Sequence, residues 1–213
     1  MRTKGVEWTR PLAKVRLEGD LVRLEPLAMR HEAELKAIYD DARIWRHQHR
    51  KVDSAEGLRD YLAASLKEWR AGTALPFVVR SVESGRLVGM TRLKNMVREN
   101  RRATVGSWYC RAAWGTGANT EAKLLLLQHG FEVLGCVRVE FHTDRLNARS
   151  RAALKKLGAV EEGILRADVL KPDGRRRDTV MYSVIDTEWP KVKRRLQRGV
   201  KRALVEASGQ AEG

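Results

Sequence analysis

The stretch at residues 105–134 constrains the fold more than any other part of the chain; it reads VGSWYCRAAWGTGANTEAKLLLLQHGFEVL. Residues 105–110 carry β-branched, aromatic and sulfur side chains typical of a strand, whereas residues 119–134 carry apolar residues through several turns of a predicted helix. Between them, Gly115 and Gly117 let the backbone turn sharply and approach a ligand closely. The helix would direct unpaired amides and its positive dipole end into this turn, which predicts an anion site, most simply for a pyrophosphate.

Two common classes of phosphate-binding turn match this stretch poorly or only in part. A Walker loop needs Lys and then Ser or Thr after its last glycine, but Ala118 and Asn119 follow Gly117, which excludes that class. A dinucleotide fingerprint needs a third glycine or alanine where Thr120 stands, although Glu140 lies at the expected distance for its acidic residue. The dinucleotide interpretation therefore stays open, as does a glycine-rich connection that binds no ligand.

The rest of the chain reads as one domain of strands and helices, without an internal repeat. A strand at residues 21–27, ended by Pro26, precedes helices at 29–40 and 54–71, which are separated by a looser segment. Strands follow at 76–82, 86–96 and 104–110, and Glu83-Ser84-Gly85 joins the first two as a hairpin. After the central helix come a strand at 137–143, a helix at 147–157 and strands at 163–170 and 177–184, joined by Lys171-Pro172-Asp173-Gly174.

A Trp114-Gly115 pair opens the anion turn, and a Glu121-Ala122 pair follows it. With the element order over about residues 21–189, these motifs resemble the RimJ/RimL-like branch of the GNAT acetyltransferases. The coenzyme A turn of that family reads Gln or Arg, two residues, Gly, one residue, then Gly or Ala. Here the central Gly117 matches, whereas Trp114 and Asn119 depart from the outer positions. The resemblance implies a mixed α/β, GNAT-like acyl-CoA N-acyltransferase fold, with a mostly antiparallel twisted sheet, a splayed parallel strand pair and helices on both faces.

The resemblance also implies acetyl-CoA as cosubstrate, held between the splayed strands at 105–110 and 137–143. Backbone amides near Trp108, Tyr109 and Cys110 would bind the pantetheine and polarise the thioester carbonyl. Arg111 is placed either to add a charge near the pyrophosphate or to lie free on the surface. The other coenzyme-binding residues implied are Gly115, Thr116, Gly117, Ala118, Asn119, Thr120 and Asn147. A Gly117→Glu change is predicted to abolish coenzyme binding and to leave the fold intact.

Asn147 and Ser150 match the family's Asn followed by Ala or Ser after the second splayed strand. Leu154 stands where many relatives have a tyrosine that acts as general acid. By resemblance to the RimL-like branch, Ser150 would protonate the leaving thiolate instead. Asn147 would serve as helix cap and ligand at once; the alternative for both residues is a local role at the start of the helix.

The general base is less clearly marked. Glu140, on the polar side of a central strand, is the first candidate, although an ion pair with Arg138 explains it almost as well. His142 could shuttle a proton. Trp45 and His47 are predicted, with Trp108, to line the acceptor pocket, or to pack in the core.

Because the sequence shows no obvious strong base, the pKa of the acceptor amine indicates which class of amine can react. A lysine amine with a pKa of about 10.4 is free base in only about one part in a few thousand at neutral pH, whereas an α-amine near about 7.8 is roughly a tenth free. The predicted acceptor is therefore a primary amine, most simply a protein or peptide N-terminus, with a small-molecule amine as alternative. No zinc-ligand spacing and no Gly-x-Ser-x-Gly motif occur, so metal and serine-hydrolase chemistry are not predicted.

The chain has 213 residues and a net charge of +15, which attracts anions such as coenzyme phosphates, RNA or a ribosome surface. Cys110 and Cys136 lack a CxxC spacing, which favours free thiols in a reducing compartment. No signal peptide or membrane span is recognisable. These features predict a cytoplasmic protein, monomeric or homodimeric.

The two ends of the chain are basic and differ in pattern from the domain between them. Residues 1–19 are predicted as a basic arm, 20–190 as the N-acetyltransferase domain and 191–213 as a basic carboxyl-terminal helix or tail. Apolar residues recur in the tail every four positions, at Val192, Leu196, Val200 and Leu204. This stripe favours a helix docked on the domain with a solvated basic face. The alternative is contact with RNA, a ribosome or an acidic membrane, and hence a catalytically lapsed GNAT-like module that binds RNA or ribosomes.

Overall fold

The computed structural model describes Trp8 and residues 12–48, 52–171 and 173–210. The strands are β1 (Leu17–Glu18), β2 (Val22–Pro26), β3 (Leu75–Ser81), β4 (Leu87–Val97), β5 (Arg102–Tyr109), β6 (Arg138–Asp144), β7 (Val160–Leu170) and β8 (Arg176–Ile185). The helices are α1 (Glu32–Lys36), α2 (Ala42–Trp45), α3 (Ala55–Arg70), α4 (Ala118–Gln128), α5 (Ala148–Leu157) and α6 (Trp189–Gln210). Short helical turns occur at Met29–His31, Arg111–Ala113 and His129–Val133. This is the predicted order, with β1 and α2 as additions.

The strands form one eight-stranded sheet in the order β1-β2-β3-β4-β5-β6-β8-β7. Among the strands of the described residues only β5 and β6 pair in parallel, and their register ends at Val105 opposite Phe141. Beyond that point β5 keeps its antiparallel partner β4 as far as Tyr109, and β6 keeps β8 as far as Asp144. The two parallel strands therefore separate at their carboxyl ends, which confirms the predicted splayed pair in a mostly antiparallel sheet.

Helix α3 begins and ends close to the residues that the sequence predicts. Ser54 accepts a hydrogen bond from the amide of Gly57 at 2.9 Å, and Glu56 lies in the first turn. Gly72, just past the end of the helix, takes a φ of 72°. The helix predicted at 29–40 is shorter, because α1 ends at Lys36 and the chain then turns so that the Tyr39 carbonyl accepts the Trp45 indole N–H at 2.6 Å.

Helices cover both faces of the sheet, as predicted. One buried cluster lies between the sheet and α4, α5 and α6, with Phe77 and Leu126 among its fully buried side chains. A second cluster lies on the opposite face beneath α3 and includes Leu62 and Val78. Phe77 and Val78 are adjacent in β3, so the alternation of a strand assigns them to opposite faces.

Both ends of the described chain pack against the domain. The Trp8 indole donates to the Leu134 carbonyl at 2.6 Å. In α6, Val192, Leu196 and Val200 are each at most 5% exposed. The predicted docking of the tail's apolar stripe is therefore confirmed, with a helix that begins at Trp189, whereas the domain boundaries at residues 19/20 and 190/191 stay predictions.

Candidate active site

A cavity of about 700 Å³ runs through the gap between the separating ends of β5 and β6. On one side of the sheet it is bounded by α4, α5 and α6, and on the other by α2 and the segment that follows it. Seven of the predicted coenzyme-binding residues line it: Trp108, Tyr109, Gly115, Gly117, Asn119, Thr120 and Asn147. The predicted Ser150 also lines it, whereas Cys110, Arg111, Thr116, Ala118 and Glu140 do not.

The anion turn forms as predicted between β5 and α4. Gly115 and Gly117 take φ values of 88° and 85°, which glycine adopts without strain. Gly117 is the N-cap of α4, so the helix begins at Ala118, a residue earlier than predicted. Among the described residues, no hydrogen bond is donated by the amides of Gly115, Thr116 and Gly117. Free amides and a helix N-terminus at a cavity wall suit a phosphate group.

The prediction that Gly117→Glu leaves the fold intact is wrong. A Cβ at Gly117 would lie 2.5 Å from the Cβ of Ala203 in α6 and 2.9 Å from a methyl of Leu21. The positive φ would strain any side chain there as well. Gly117→Glu would therefore displace α6 in addition to blocking the turn.

Trp114, which departs from the family's turn motif, has a structural role that the sequence did not reveal. Its indole donates to the Tyr109 carbonyl at 3.0 Å. The guanidinium of Arg149, in the first turn of α5, lies 3.3 Å from the centre of the Trp114 ring. This stacking holds a cation at the cavity wall beside the anion turn, whereas the predicted Arg111 is exposed and lies outside the cavity.

Asn147 and Ser150 are brought together at the start of α5. The Asn147 side chain accepts the Ser150 amide at 3.0 Å, which is the predicted N-cap, and the Asn147 amide donates to the Asp144 carbonyl at 2.8 Å. Both residues line the cavity, and Leu154 lines it one turn after Ser150. The cap fixes the Ser150 backbone at the cavity wall.

The amides of β5 are divided between its two neighbours. The Cys110 amide donates to the Val88 carbonyl in β4 at 2.9 Å, so it is engaged in the sheet. Because donors alternate along an antiparallel strand, the amides of Ser107 and Tyr109 point the other way, into the gap. Ser107 lines the cavity and was missed by the sequence reasoning, since nothing in the sequence sets the phase of the alternation.

Glu140 lies outside the cavity, in a cluster of charged groups. Its carboxylate contacts Arg138 at 2.8 Å, Arg102 at 3.2 Å and His142 Nε2 at 3.2 Å. Burial acts to raise the pKa of Glu140, but these hydrogen bonds and charges hold the pKa below its ordinary value. The geometry thus matches the ion-pair alternative.

His142, in contact with Glu140, does line the cavity. Burial lowers the pKa of His142 below its ordinary value, and Glu140 offsets this only in part. The imidazole is therefore neutral at neutral pH and can accept a proton or a hydrogen bond.

A second histidine and a buried carboxylate lie at the same end of the cavity. His47 Nδ1 lies 3.3 Å from Asp144 Oδ2, and Lys171 Nζ lies 3.8 Å from the same oxygen. Burial acts to raise the pKa of Asp144, but the Leu146 amide and His47 hold it below its ordinary value. Of the predicted acceptor-pocket residues, His47 and Trp108 line the cavity. Trp45 is 5% exposed and packs 5.3 Å from Trp108, as the core alternative expects.

Positive charge dominates the cavity wall, and most of it was missed from the sequence. The lysines and arginines that line the cavity are Arg43, Lys94, Lys123, Arg149, Lys156, Arg177, Arg195, Arg198 and Arg202. The lining carboxylates are Asp144 and Glu206. The basic tail was noticed in the sequence, but only the packing of α6 brings its arginines to the cavity.

Within residues 12–48, 52–171 and 173–210, no three His, Cys, Asp or Glu side chains are grouped to hold a metal ion. No helix in those ranges is long and apolar enough to cross a bilayer. Cys136 is a free, buried thiol, and burial raises its pKa to about 12, so it stays protonated and unreactive.

Comparison with known proteins assigns the family. Residues 22–160 match the model of the acetyltransferase (GNAT) domain. Over 105 residues the chain is 37% identical to "Putative ribosomal N-acetyltransferase YdaF" of Bacillus subtilis (strain 168); this covers 49% of the chain and 57% of that protein. The chain thus spans little more than half the length of that relative.

Solved structures agree with the family match. A GCN5-related N-acetyltransferase from Brucella melitensis has a TM-score of 0.80 at 30% identity, over 89% of this chain and 86% of that chain. Mycobacterium smegmatis RimJ in complex with CoA-disulfide has a TM-score of 0.75 at 26% identity, over 87% and 92%. The match of the family model to most of the chain, on a sheet with the splayed parallel pair, shows that the chain belongs to the GNAT acetyltransferase family.

Proposed function

We propose that the protein is an N-acetyltransferase that transfers the acetyl group of acetyl-CoA to the α-amine of a protein or peptide. One observation carries the proposal: a single cavity connects the anion turn on one side of the sheet to His47, His142 and Asp144 on the other. Such a passage lets a coenzyme and an amine approach one another from opposite faces. The GNAT family and the RimJ structure with CoA-disulfide support acetyl-CoA as the ligand.

The residues present fit this coenzyme. The free amides of Gly115 and Gly117 and the Arg149 guanidinium suit a pyrophosphate. The amides of Ser107 and Tyr109 face the gap, where a pantetheine could pair with them as an added strand. Because these N–H groups point into the gap, they would donate to the thioester carbonyl and polarise it.

The proposed proton transfers use residues at the two sides of the gap. Ser150, with its backbone fixed by Asn147, would donate a proton to the leaving thiolate and take one from water in the same step, so that its hydroxyl is restored. A thiol has an ordinary pKa near about 8.5, so modest assistance is enough. On the acceptor side, neutral His142 would take the proton of the amine, and Glu140 would position the His142 ring rather than act as the base itself.

The acceptor is proposed from charge and pKa. Asp144 is buried and holds a negative charge in a cavity whose lining carries mostly cations, so it would attract an ammonium group to the acceptor end. A neutral imidazole is a weak base, which suits an α-amine better than a lysine side chain. The name of the B. subtilis relative supports a ribosomal protein as acceptor. A ribosome or RNA contact through the basic tail, cytoplasmic location and a monomeric or homodimeric state stay predictions.

The first test is calorimetric titration with acetyl-CoA at two salt concentrations. Micromolar binding at both is expected, because the turn contributes directed hydrogen bonds as well as charge. Peptides with free α-amines should then release CoA thiol in a coupled assay, and peptides that are Nα-acetylated but carry lysine should react far more slowly. Absence of acetyl-CoA binding at either salt concentration would refute the proposal.

Ser150 provides a sharper test of the mechanism. Ser150→Ala should lower kcat by about 100-fold, the lower end of the range of general acid catalysis, and leave the Kd for acetyl-CoA nearly unchanged. Ser150→Thr keeps the hydroxyl and should retain more activity than Ser150→Ala. Equal rates for the alanine variant and the wild type would remove Ser150 from the mechanism while leaving the enzyme assignment intact.

A further inference from the structure

Helix α6 lies outside the residues matched by the family model, yet it forms one wall of the cavity. Its backbone approaches the anion turn closely because the contact positions carry little or no side chain. A Cβ at Gly117 would meet the Ala203 Cβ at 2.5 Å, and a Cβ at Gly199 would meet the Thr120 methyl at 3.2 Å. The two helices therefore pack almost backbone to backbone where α4 begins.

Three of the seven residues that line the cavity from α6 are arginines, and one, Glu206, is acidic. Arg195, Arg198 and Arg202 line it, at a spacing of three and four residues that places them along one side of the helix. The apolar stripe of α6, with Leu196 at 2% exposure, is turned to the core and fixes the rotation of the helix. The arginine row therefore cannot rotate away from the cavity without exposing that stripe.

These arginines lack acidic partners. Among the described residues no ion pair forms at Arg195, Arg198 or Arg202, whereas arginines elsewhere, such as Arg80 and Arg138, are paired with carboxylates. Lys156 of α5 also lines the cavity and forms no ion pair with any residue that the structure describes. Several unpaired cations that converge on one concave wall repel one another, and an anionic ligand would remove that cost.

We propose that α6 supplies a second phosphate subsite, in which Arg198 and Arg202 bind the 3′-phosphate of coenzyme A. This inference rests on the proposed function, since the anion turn is taken to hold the pyrophosphate. A phosphomonoester carries close to two charges at neutral pH and accepts paired hydrogen bonds from guanidinium groups. The 3′-phosphate lies on the ribose next to the pyrophosphate, so in a ligand seated on the turn it would lie within reach of the adjoining α6 wall.

The experiment compares CoA with 3′-dephospho-CoA by calorimetric titration at physiological salt. Wild-type protein should bind CoA at least about 10-fold more tightly than dephospho-CoA, the range of one or two charge-assisted hydrogen bonds. In the Arg198→Ala/Arg202→Ala variant the affinity for CoA should fall by about 10- to 100-fold, and the affinity for dephospho-CoA should change by less than about 3-fold.

A matched control removes the same charge from the same helix outside the cavity. Arg194 and Lys201 are exposed and do not line it, so Arg194→Ala/Lys201→Ala should leave the preference for CoA unchanged. Arg198→Lys/Arg202→Lys keeps the charge and should restore part of the preference, which a loss of helix packing would not allow. Thermal melts of all variants should coincide with that of the wild type.

The outcomes separate this inference from the proposed function. Wild-type protein that binds CoA and dephospho-CoA equally would overturn the subsite and leave the coenzyme site standing. Equal weakening of both ligands in the cavity variant, or the same effect in the control variant, would also overturn it. Tighter CoA binding in the cavity variant would mean that α6 obstructs the ligand. Binding of neither ligand by the wild type would refute the proposed function itself.

Discussion

The Glu121 carboxylate connects the first turn of α4 to the chain that leads into β2. It accepts the Asp20 amide at 2.9 Å, the Leu21 amide at 2.6 Å and the Val22 amide at 2.7 Å. The side chain is 3% exposed, and a Cβ at Gly19 would lie 2.5 Å from it, so there is little room for water. We predict that Glu121→Ala strongly destabilises the fold, because it leaves three amides without their acceptor.

The magnitude follows from the number of amides. Each buried donor left without a partner costs about 1–3 kcal/mol, and water that enters the vacated space returns part of this, so we expect a total loss of about 3–5 kcal/mol. Glu121→Gln keeps one carbonyl oxygen but turns an NH₂ group toward an amide, and should lose about half as much. Urea unfolding followed by circular dichroism measures both losses.

Glu83 provides the control for this prediction. It is exposed in the turn between β3 and β4, so Glu83→Ala should change the free energy of unfolding by less than about 0.5 kcal/mol. A loss below about 1 kcal/mol for Glu121→Ala would refute the reasoning, since it would show that these three hydrogen bonds are replaced by water at little cost.

Three further predictions concern the helices around the cavity. Leu196→Ala should lower the free energy of unfolding by about 2–4 kcal/mol in urea, because the side chain is 2% exposed in the core; a loss below 1 kcal/mol would contradict the docking of α6. Asn147→Asp should keep the N-cap and the stability but weaken acetyl-CoA binding by its added negative charge, whereas Asn147→Ala should lower the free energy of unfolding by about 1 kcal/mol. Equal affinities of Asn147→Asp and the wild type for acetyl-CoA would count against a ligand at this position. Burial lowers the pKa of Lys123, on the cavity wall, to about 8, and a bound phosphate favours its charged form. The affinity of the wild type for acetyl-CoA should therefore fall as the pH rises from about 8 to about 10, whereas that of Lys123→Arg should not. Identical pH profiles for the two proteins would contradict this.

Much of the fold followed from local patterns. The turn glycines, the Ser54 cap and the two hairpins were predicted because each depends on residues close together in the chain. The second hairpin turn is seen through the Lys171 and Gly174 contacts, and Pro172 lies outside the described residues. The helix predicted at 29–40 was too long, because its end is set by a contact between Tyr39 and Trp45 that helix propensity does not report.

The candidate site followed from the sequence only where one segment supplies it. Gly117, Asn147 and Ser150 were found because motif spacing and helix start signals mark them. Glu140 was predicted as the base from its place on a polar strand face, but side-chain packing pairs it with Arg138 and places His142 between it and the cavity. Strand alternation assigns a face; it does not decide which polar groups on that face reach the ligand.

By itself, the sequence determined the mixed α/β element order, the anion turn and the apolar stripe of α6, because propensity, turn chemistry and periodicity act over a few residues. Only the tertiary structure decided that β5 and β6 separate beyond Val105, that Glu121 binds the chain before β2, and that the arginines of α6 reach the cavity. These features join segments about 40 to 100 residues apart, as with Leu21 and Glu121 at a separation of 100. The free energy of each of these contacts depends on which helices and strands pack together, and their relative positions are set only when the whole core packs.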